Sequence, residues 1–338
     1  MKKINTGKKI ALLVIIMFIS ILSVNAQDAR FTQFYANPLR LNPAIMGPST
    51  DMKFILGYRS QWAVVDKGYQ TSSFTAMYPV FLNENKNKLD IGFNVMNDKA
   101  GAFSNLDFML AVNSSIQIAQ NSHISFSLTG GYVQNSLNTS GLTYDNQYVL
   151  GSYSAANPSN ELTISQSVSH ADVGFGLMWY MNPTRTESKL NAFAGVSGFH
   201  LNQPSESFTG SGGVLPRKLS FQGGFKILGD NKVDIAPNVR VNTQNGNVET
   251  AVGLYVDYNF NDDTKLVIGS WYRRNDAVAF LLGCEYKSFI FGYSYDVITS
   301  DINKAITGVG AHELTLSFKL SRLKDAAPSV RPSIFSSF

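Results

Sequence analysis

The stretch Asn247–Phe260 reads NVETAVGLYVDYNF. Its even positions, Val248 through Phe260, are apolar or β-branched, and its odd positions are polar or small. A period of two sends successive side chains to opposite faces of a strand, so this stretch reads as a strand with one apolar face. The same reading fits Leu106–Val112, Val173–Trp179, Leu219–Ile227, Phe289–Val297 and Leu314–Leu320. Fourteen such segments follow one another, at 52–64, 69–80, 89–97, 104–118, 122–134, 171–182, 189–201, 216–228, 231–242, 247–260, 264–273, 277–286, 288–297 and 312–321. Most reach ten residues or a little more, about what a tilted strand needs to cross a bilayer. After the N-terminal region the longest apolar run is Ala277–Cys284, far short of the roughly 20 residues of a transmembrane helix.

A soluble β-sandwich also alternates, and the connections separate the two folds. If the first strand rises from the N-terminal side, the returns on that side are all short: 81–88, 119–121, 183–188, 229–230, 261–263 and Lys287. The three longest connections, 135–170, 202–215 and 298–311, all fall on the other side. Sorting of this kind belongs to an outer-membrane-type antiparallel barrel with both termini in the periplasm. Charged residues make up 15% of the chain and aromatics 12%, against roughly 25% charged in ordinary soluble domains. Trp62, Tyr78, Trp179, Tyr180, Phe260, Trp271, Tyr272 and Tyr286 stand near expected strand ends, where interfacial girdles would place them. The one cysteine, Cys284, rules out an intrachain disulfide and shares a face with Val278, Phe280 and Leu282, which points it to lipid. A closed sheet needs no such staple, because it pairs its own backbone groups.

The N-terminus carries a basic cluster (Lys2, Lys3, Lys8, Lys9), an apolar run Ile10–Leu22, and Val24-Asn25-Ala26, so cleavage of a signal peptide is expected after Ala26. Gln27 follows rather than a cysteine, which argues against a lipid anchor. Of 28 Lys+Arg and 24 Asp+Glu, four lysines and no acids lie in residues 1–26, leaving 24 against 24. A neutral mature chain gives no reason to expect nucleic acid as a partner. The expected organisation is a signal peptide at 1–26, a periplasmic segment at 27–51, a barrel at 52–321 and a periplasmic tail at 322–338.

Residues that carry chemistry are scarce. His123, His170, His200 and His312 have no metal-ligand spacing, and no phosphate-binding loop, nucleophile elbow or calcium loop occurs. Ser169-His170 would be the candidate for a rim enzyme, but a polar loop end explains the pair more simply. No catalytic residue, metal or cofactor is expected. The glycines Gly130-Gly131, Gly174, Gly176 and Gly223-Gly224 read as relief of crowding on the lumen face or at bends.

Three groups of residues are similar to one known family. Asn37-Pro38-Leu39, Asn42-Pro43-Ala44 and Gly47 resemble the N-terminal signature of the PorP/SprF family, associated with the type IX secretion system of Bacteroidetes. So do "YRSQW" (Tyr58, Arg59, Gln61, Trp62) with "YQTSSF" (Tyr69–Phe74), and "GYSYD" (Gly292–Asp296), Ser300 and "GAHELTLSFKL" (Gly310–Leu320). The likeness spans the chain from about Gln27 to Leu320. It departs at Met77, where a histidine is expected, and in the extension 322–338. The resemblance implies a non-enzymatic outer-membrane barrel that binds a secreted protein with a type B C-terminal sorting domain, such as a gliding adhesin, and helps secrete or anchor it. Partners implied are that sorting domain, outer-membrane lipid and lipopolysaccharide, and periplasmic ring components. A core structural link to the ring or gliding motor is the second reading, and a passive porin-like channel the third.

Within that frame, Tyr144, Tyr148 and Tyr153, set among Ser, Asn and Gly in the 135–170 loop, suit adaptable protein recognition, although the loop is also long enough to plug the lumen. Asp296, His312 and Glu313 meet across the last hairpin near the rim, as a partner-binding cluster or as a polar pair fixing register. Asp28 is placed to cap a turn presenting Phe31, Phe34 and Tyr35. Asn37, Pro38, Asn42 and Pro43 form a stiff strap below the barrel, because each proline restricts the asparagine before it. It reads either as a plug or register clamp closing the lower mouth or as a docking surface for periplasmic machinery.

Overall fold

The computed structural model describes residues 28, 30–63, 68–82, 87–139, 142–149, 151–154, 156–159, 166–181, 183, 187–210, 212–229, 232–261, 263–301 and 310–320. The expected signal peptide at 1–26 and tail at 322–338 lie outside them. Fourteen strands close into one barrel. In chain order they are β1 (Met52–Gln61), β2 (Tyr69–Leu82), β3 (Asn87–Ala100), β4 (Phe103–Ala119), β5 (Ser122–Leu137), β6 (Ser167–Met181) and β7 (Leu190–Phe199). There follow β8 (Lys218–Leu228), β9 (Val233–Gln244), β10 (Asn247–Asn261), β11 (Thr264–Arg273), β12 (Ala277–Tyr286), β13 (Phe289–Ile298) and β14 (Ala311–Leu320). Each strand pairs antiparallel with its sequence neighbour, and β1 closes on β14 from Met52↔Leu320 to Gln61↔Ala311. Every expected strand is present within a few residues of its expected bounds, and no described helix is long and apolar enough to cross a membrane.

The alternation sorts the faces. Along β4, Phe108, Leu110, Val112, Ile116 and Ile118 point outward and are exposed, while Asp107, Met109, Ala111, Asn113 and Ser115 point into the lumen. The exterior is therefore an apolar band suited to hydrocarbon, and Cys284 lies on it, exposed. Two aromatics expected in the outer girdle face inward instead. Trp271 is 1% exposed, and Tyr180 stacks on His123 at 4.9 Å with its hydroxyl 2.7 Å from Ser115 Oγ. Their positions in the alternating pattern of β11 and β6 determine this, overriding nearness to a strand end.

The lumen is occupied by the chain's own N-terminal segment. Every residue from Phe31 to Gly47 is buried except Arg40, which is half-buried. Short turns at Phe34–Ala36, Pro38–Leu41 and Pro43–Met46 coil it compactly enough to fill the space. Its apolar side chains meet those of the wall: Phe34 crosses Trp271 edge-on at 4.5 Å, and Tyr35 lies 6.2 Å from Phe193. Of the readings of the strap, the plug describes it, but it runs through the lumen rather than closing the lower mouth from below.

The plug's direction also differs from expectation. Asp28 bonds to Lys218, His200 and Gln244, all at the end of the barrel that carries the long loops. Met46 and Ser49 present their carbonyls to Lys88 at the short-turn end, where β1 begins. The chain enters at the long-loop mouth, descends through the lumen and only then starts the sheet. Asp28 and Leu320 consequently lie at opposite mouths, not on one side as both-termini-periplasmic requires. The polar lumen wall is the physical reason, since it offers the segment partners along the whole descent that a strap below the barrel would lack. Asp28, expected as a turn cap, instead spans to β8 and β9, and the turn at Phe34 has no side-chain cap.

Candidate functional site: the lumen plug and the mouth above it

The upper plug is held by a charge cluster. Thr32 N–H donates to Glu313 Oε2 at 2.7 Å, and Gln33 N–H to Glu313 Oε1 at 2.9 Å. The Thr32 hydroxyl donates to Asp296 at 2.7 Å and accepts from Arg59 at 2.8 Å and Arg273 at 2.9 Å. Both arginines reach Asp296 Oδ2 at 2.8 Å, and Arg59 also lies 3.3 Å from Glu313. Two cations balance two anions, and each carboxylate is bonded on more than one side, the condition under which buried charge is tolerated. The Gln33 amide completes the set, accepting from Thr315 at 2.9 Å and donating to the Glu313 carbonyl at 3.2 Å.

Asparagines and glycines seat the middle of the plug. Asn42 donates to the carbonyls of Leu177 at 3.2 Å and Val196 at 3.3 Å, and accepts from Ala44 N–H at 2.9 Å. It fits because Gly176 and Gly195 face it. A Cβ at Gly195 would come within 2.8 Å of Asn42 Nδ2, and one at Gly176 would meet Asn42 Oδ1 and, at 2.9 Å, the Ala44 nitrogen. Ser197 Oγ donates to the Leu41 carbonyl at 2.6 Å. Across the lumen, Arg40 bonds Asn94 at 2.7 Å and pairs with Asp107, and Asn94 also donates to Asn37 at 3.3 Å.

At the long-loop mouth, Asp28 lies 2.8 Å from Lys218 and 3.1 Å from His200, which lies 3.1 Å from Asp172 on its other nitrogen. His200 stands just past the end of β7. Burial alone would discharge it, but the facing carboxylates of Asp28 and Asp172 overcome this and raise its pKa from 6.5 to about 9. Between the plug and the loops is a cavity of about 450 Å³, lined by plug residues Phe31, Phe34 and Arg40 and by wall residues including Lys218 and Arg240.

The residues singled out from sequence fall in three places. Asn37, Pro38, Asn42 and Pro43 are buried in the lumen, so they present no docking surface at the lower mouth. Asp296 and Glu313 come together as expected, but inward, where they hold the plug. His312 faces outward beside Tyr293, whose hydroxyl is 2.8 Å from His312 Nδ1. A period of two already separates positions 312 and 313. Tyr148 and Tyr153 pair across a small hairpin (148–149 with 152–153) at 5.6 Å, both exposed, beyond the membrane-facing band. Tyr144, half-exposed, starts the turn before that hairpin and donates its N–H to Gln147 at 3.1 Å. Arg59 entered only as part of a family signature, and Thr32, Gln33, Arg273 and Asn94 not at all. For Arg59, Arg273 and Asn94 the signal was a charged or amide residue at a lumen position of a strand, whereas Thr32 and Gln33 lie in the plug and carried none. Met77, where a histidine was expected, is buried and faces the lumen.

Among the described residues, no group of His, Cys, Asp and Glu could hold a metal ion. Solved structures similar in fold include the toluene transporter TbuX of Ralstonia pickettii, 10% identical, covering 84% of this chain and 92% of that one with a TM-score of 0.51. The monoaromatic hydrocarbon channel CymD is 12% identical, covering 84% and 91% with a TM-score of 0.50. At these identities the likeness is one of fold, that of outer-membrane barrels. No curated relative matches the chain. The sequence model described as type IX secretion system membrane protein PorP/SprF matches residues 23–318. With that match spanning barrel and plug together, the chain belongs to the PorP/SprF family of type IX secretion membrane proteins.

Proposed function

We propose that this protein is a non-enzymatic holder in the outer membrane, which binds a secreted protein through its C-terminal sorting domain and helps export it or keep it at the surface. The observation that carries the reading is the filled lumen in a member of a secretion family. A barrel occupied from Phe31 to Gly47 by its own chain is suited to grip a partner at its mouth and poorly suited to pass one through its centre. A passive channel loses support for the same reason. In this reading residues 1–26 are removed on export, the long loops face outward, and the tyrosine hairpin at 148–153 and the surrounding mouth contact the partner. Lipid and lipopolysaccharide contact the apolar band. Tyr144, Tyr148 and Tyr153 supply rigid amphipathic contact area at small entropic cost.

Affinity purification of the tagged protein from detergent-solubilised outer membrane tests this. Co-purification of a secreted protein that carries a sorting domain is the expected result. Recovery of periplasmic ring components alone would replace the reading with a structural role in the secretion machine.

A further inference from the structure

The cavity above the plug has properties that the holder reading does not use. Among the polar atoms on its walls with no hydrogen-bond partner within the protein are Ser220 Oγ, Arg240 Nε, Asn242 Oδ1, and from the plug Arg40 Nη2 and Asn37 Nδ2. They are not scattered. Ser220 and Asn242 are directly paired across β8 and β9, and Arg240 is the next lumen-facing position below Asn242. Ser220 is 1% exposed and Arg240 5%. Arg240 is otherwise fixed: its guanidinium lies 4.3 Å over the Phe34 ring and pairs with Glu249, which leaves Nε as the unused donor. Buried polar groups without partners are rare in folded proteins, so this grouping around one cavity marks a wall arranged for something that brings its own donors and acceptors.

The chemistry of the set narrows that something. Three N–H donors and a hydroxyl call for carbonyl oxygens, and Asn242 Oδ1 calls for an N–H. A hydrocarbon would leave all five unmet, and a bare carboxylate would oppose Asn242 Oδ1. Among charged and polar neighbours such as Asp28, Asp98 and Glu206, the lining also carries apolar surface: Phe31 and Phe34 in the floor, Leu215 in the wall, and Phe103 and Phe208 at the opening with ring centroids 6.1 Å apart. Alternating amide needs beside apolar surface match the main chain of a peptide and its side chains. A volume of about 450 Å³ accommodates a few residues. We propose that this cavity binds a short extended peptide segment bearing an apolar side chain, its main chain satisfied by Ser220, Arg240 and Asn242 and its side chain set against the phenylalanines. The proposal rests on the holder reading and locates the grip inside the mouth, in addition to the tyrosine hairpin.

The test uses the purified full barrel in detergent and fluorescence anisotropy with dansyl-Gly-Leu-Phe-Gly-amide. Dansyl-Gly-Ser-Ser-Gly-amide, toluene and decanoate are the comparison probes. The apolar peptide is expected to bind, with the serine peptide on the order of tenfold weaker or more. Ala100→Trp and Ser220→Phe, which fill the cavity from different walls, should each weaken the apolar peptide by a similar factor. Gly130→Ala, where a Cβ meets nothing within 4 Å, should leave it unchanged. Two filling variants, each checked for a folded barrel by gel mobility with and without heating, guard against loss of fold. Absence of peptide binding to the unaltered protein, displacement of the peptide by toluene or decanoate, or full binding by a folded filling variant overturns the proposal. If the unaltered barrel captures a secreted protein and Ala100→Trp captures it equally, the cavity proposal fails while the holder reading stands. If the unaltered barrel captures none, it is the holder reading that has failed.

Discussion

Glu313 shows how much of this protein turns on single lumen residues. It is fully buried and accepts the backbone N–H groups of Thr32 and Gln33, one on each oxygen. In Glu313→Gln one oxygen becomes an amide nitrogen facing an N–H, which leaves a buried donor without an acceptor at a cost of about 1–3 kcal/mol. The thermal midpoint read from gel mobility should fall, and an unchanged midpoint would mean that the plug is not held there. His200 gives a pH signature. Its charged form is favoured in the folded protein by Asp28 and Asp172, which raise its pKa from 6.5 to about 9. That contribution is fully present below about pH 6.5 and is lost as pH rises through about 9. Protease access to the chain around Asp28 should therefore increase between these values, and His200→Gln should flatten the rise. At this scale the sequence was partly legible. The meeting of Asp296 and Glu313 followed from hairpin register, but their partners Thr32 and Arg273 lie 264 and 23 residues from Asp296, and no local pattern announces such pairs.

The plug is the element that sequence reading placed least well. Its stiffness was visible in Asn37-Pro38 and Asn42-Pro43, and the turns do begin at those prolines. Its destination was not, because the bonds that fix it span the barrel: Asn42 reaches Leu177 and Val196, 135 and 154 residues away. Strand alternation determines which residues face the lumen, not what fills it. The glycines held a partial signal, since relief of crowding on the lumen face was expected and Gly176 provides it to Asn42. Gly176→Ala should push Asn42 and Ala44 off the wall, destabilising by about 1–3 kcal/mol through overpacking. Gly130→Ala is the matched control, because a Cβ there meets nothing within 4 Å. Equal thermal midpoints for the two variants would contradict the seating described.

For the whole molecule, fourteen strands, their bounds and the sorting of long and short connections could be read from a period of two, because a barrel that faces lipid and a polar lumen imposes that period on every strand. The path of the plug could not, since Asp28 lies at the long-loop mouth, opposite Leu320. A barrel of this size encloses a lumen wide enough to conduct unless something fills it, and here the chain's own residues 31–47 fill it. Single-channel recording in planar bilayers measures this directly, comparing the intact protein with a variant in which residues 28–47 are replaced by a short Gly-Ser linker. The intact barrel should be silent and the variant should open steadily. Steady conductance of the intact protein, equal to that of the variant, would contradict this.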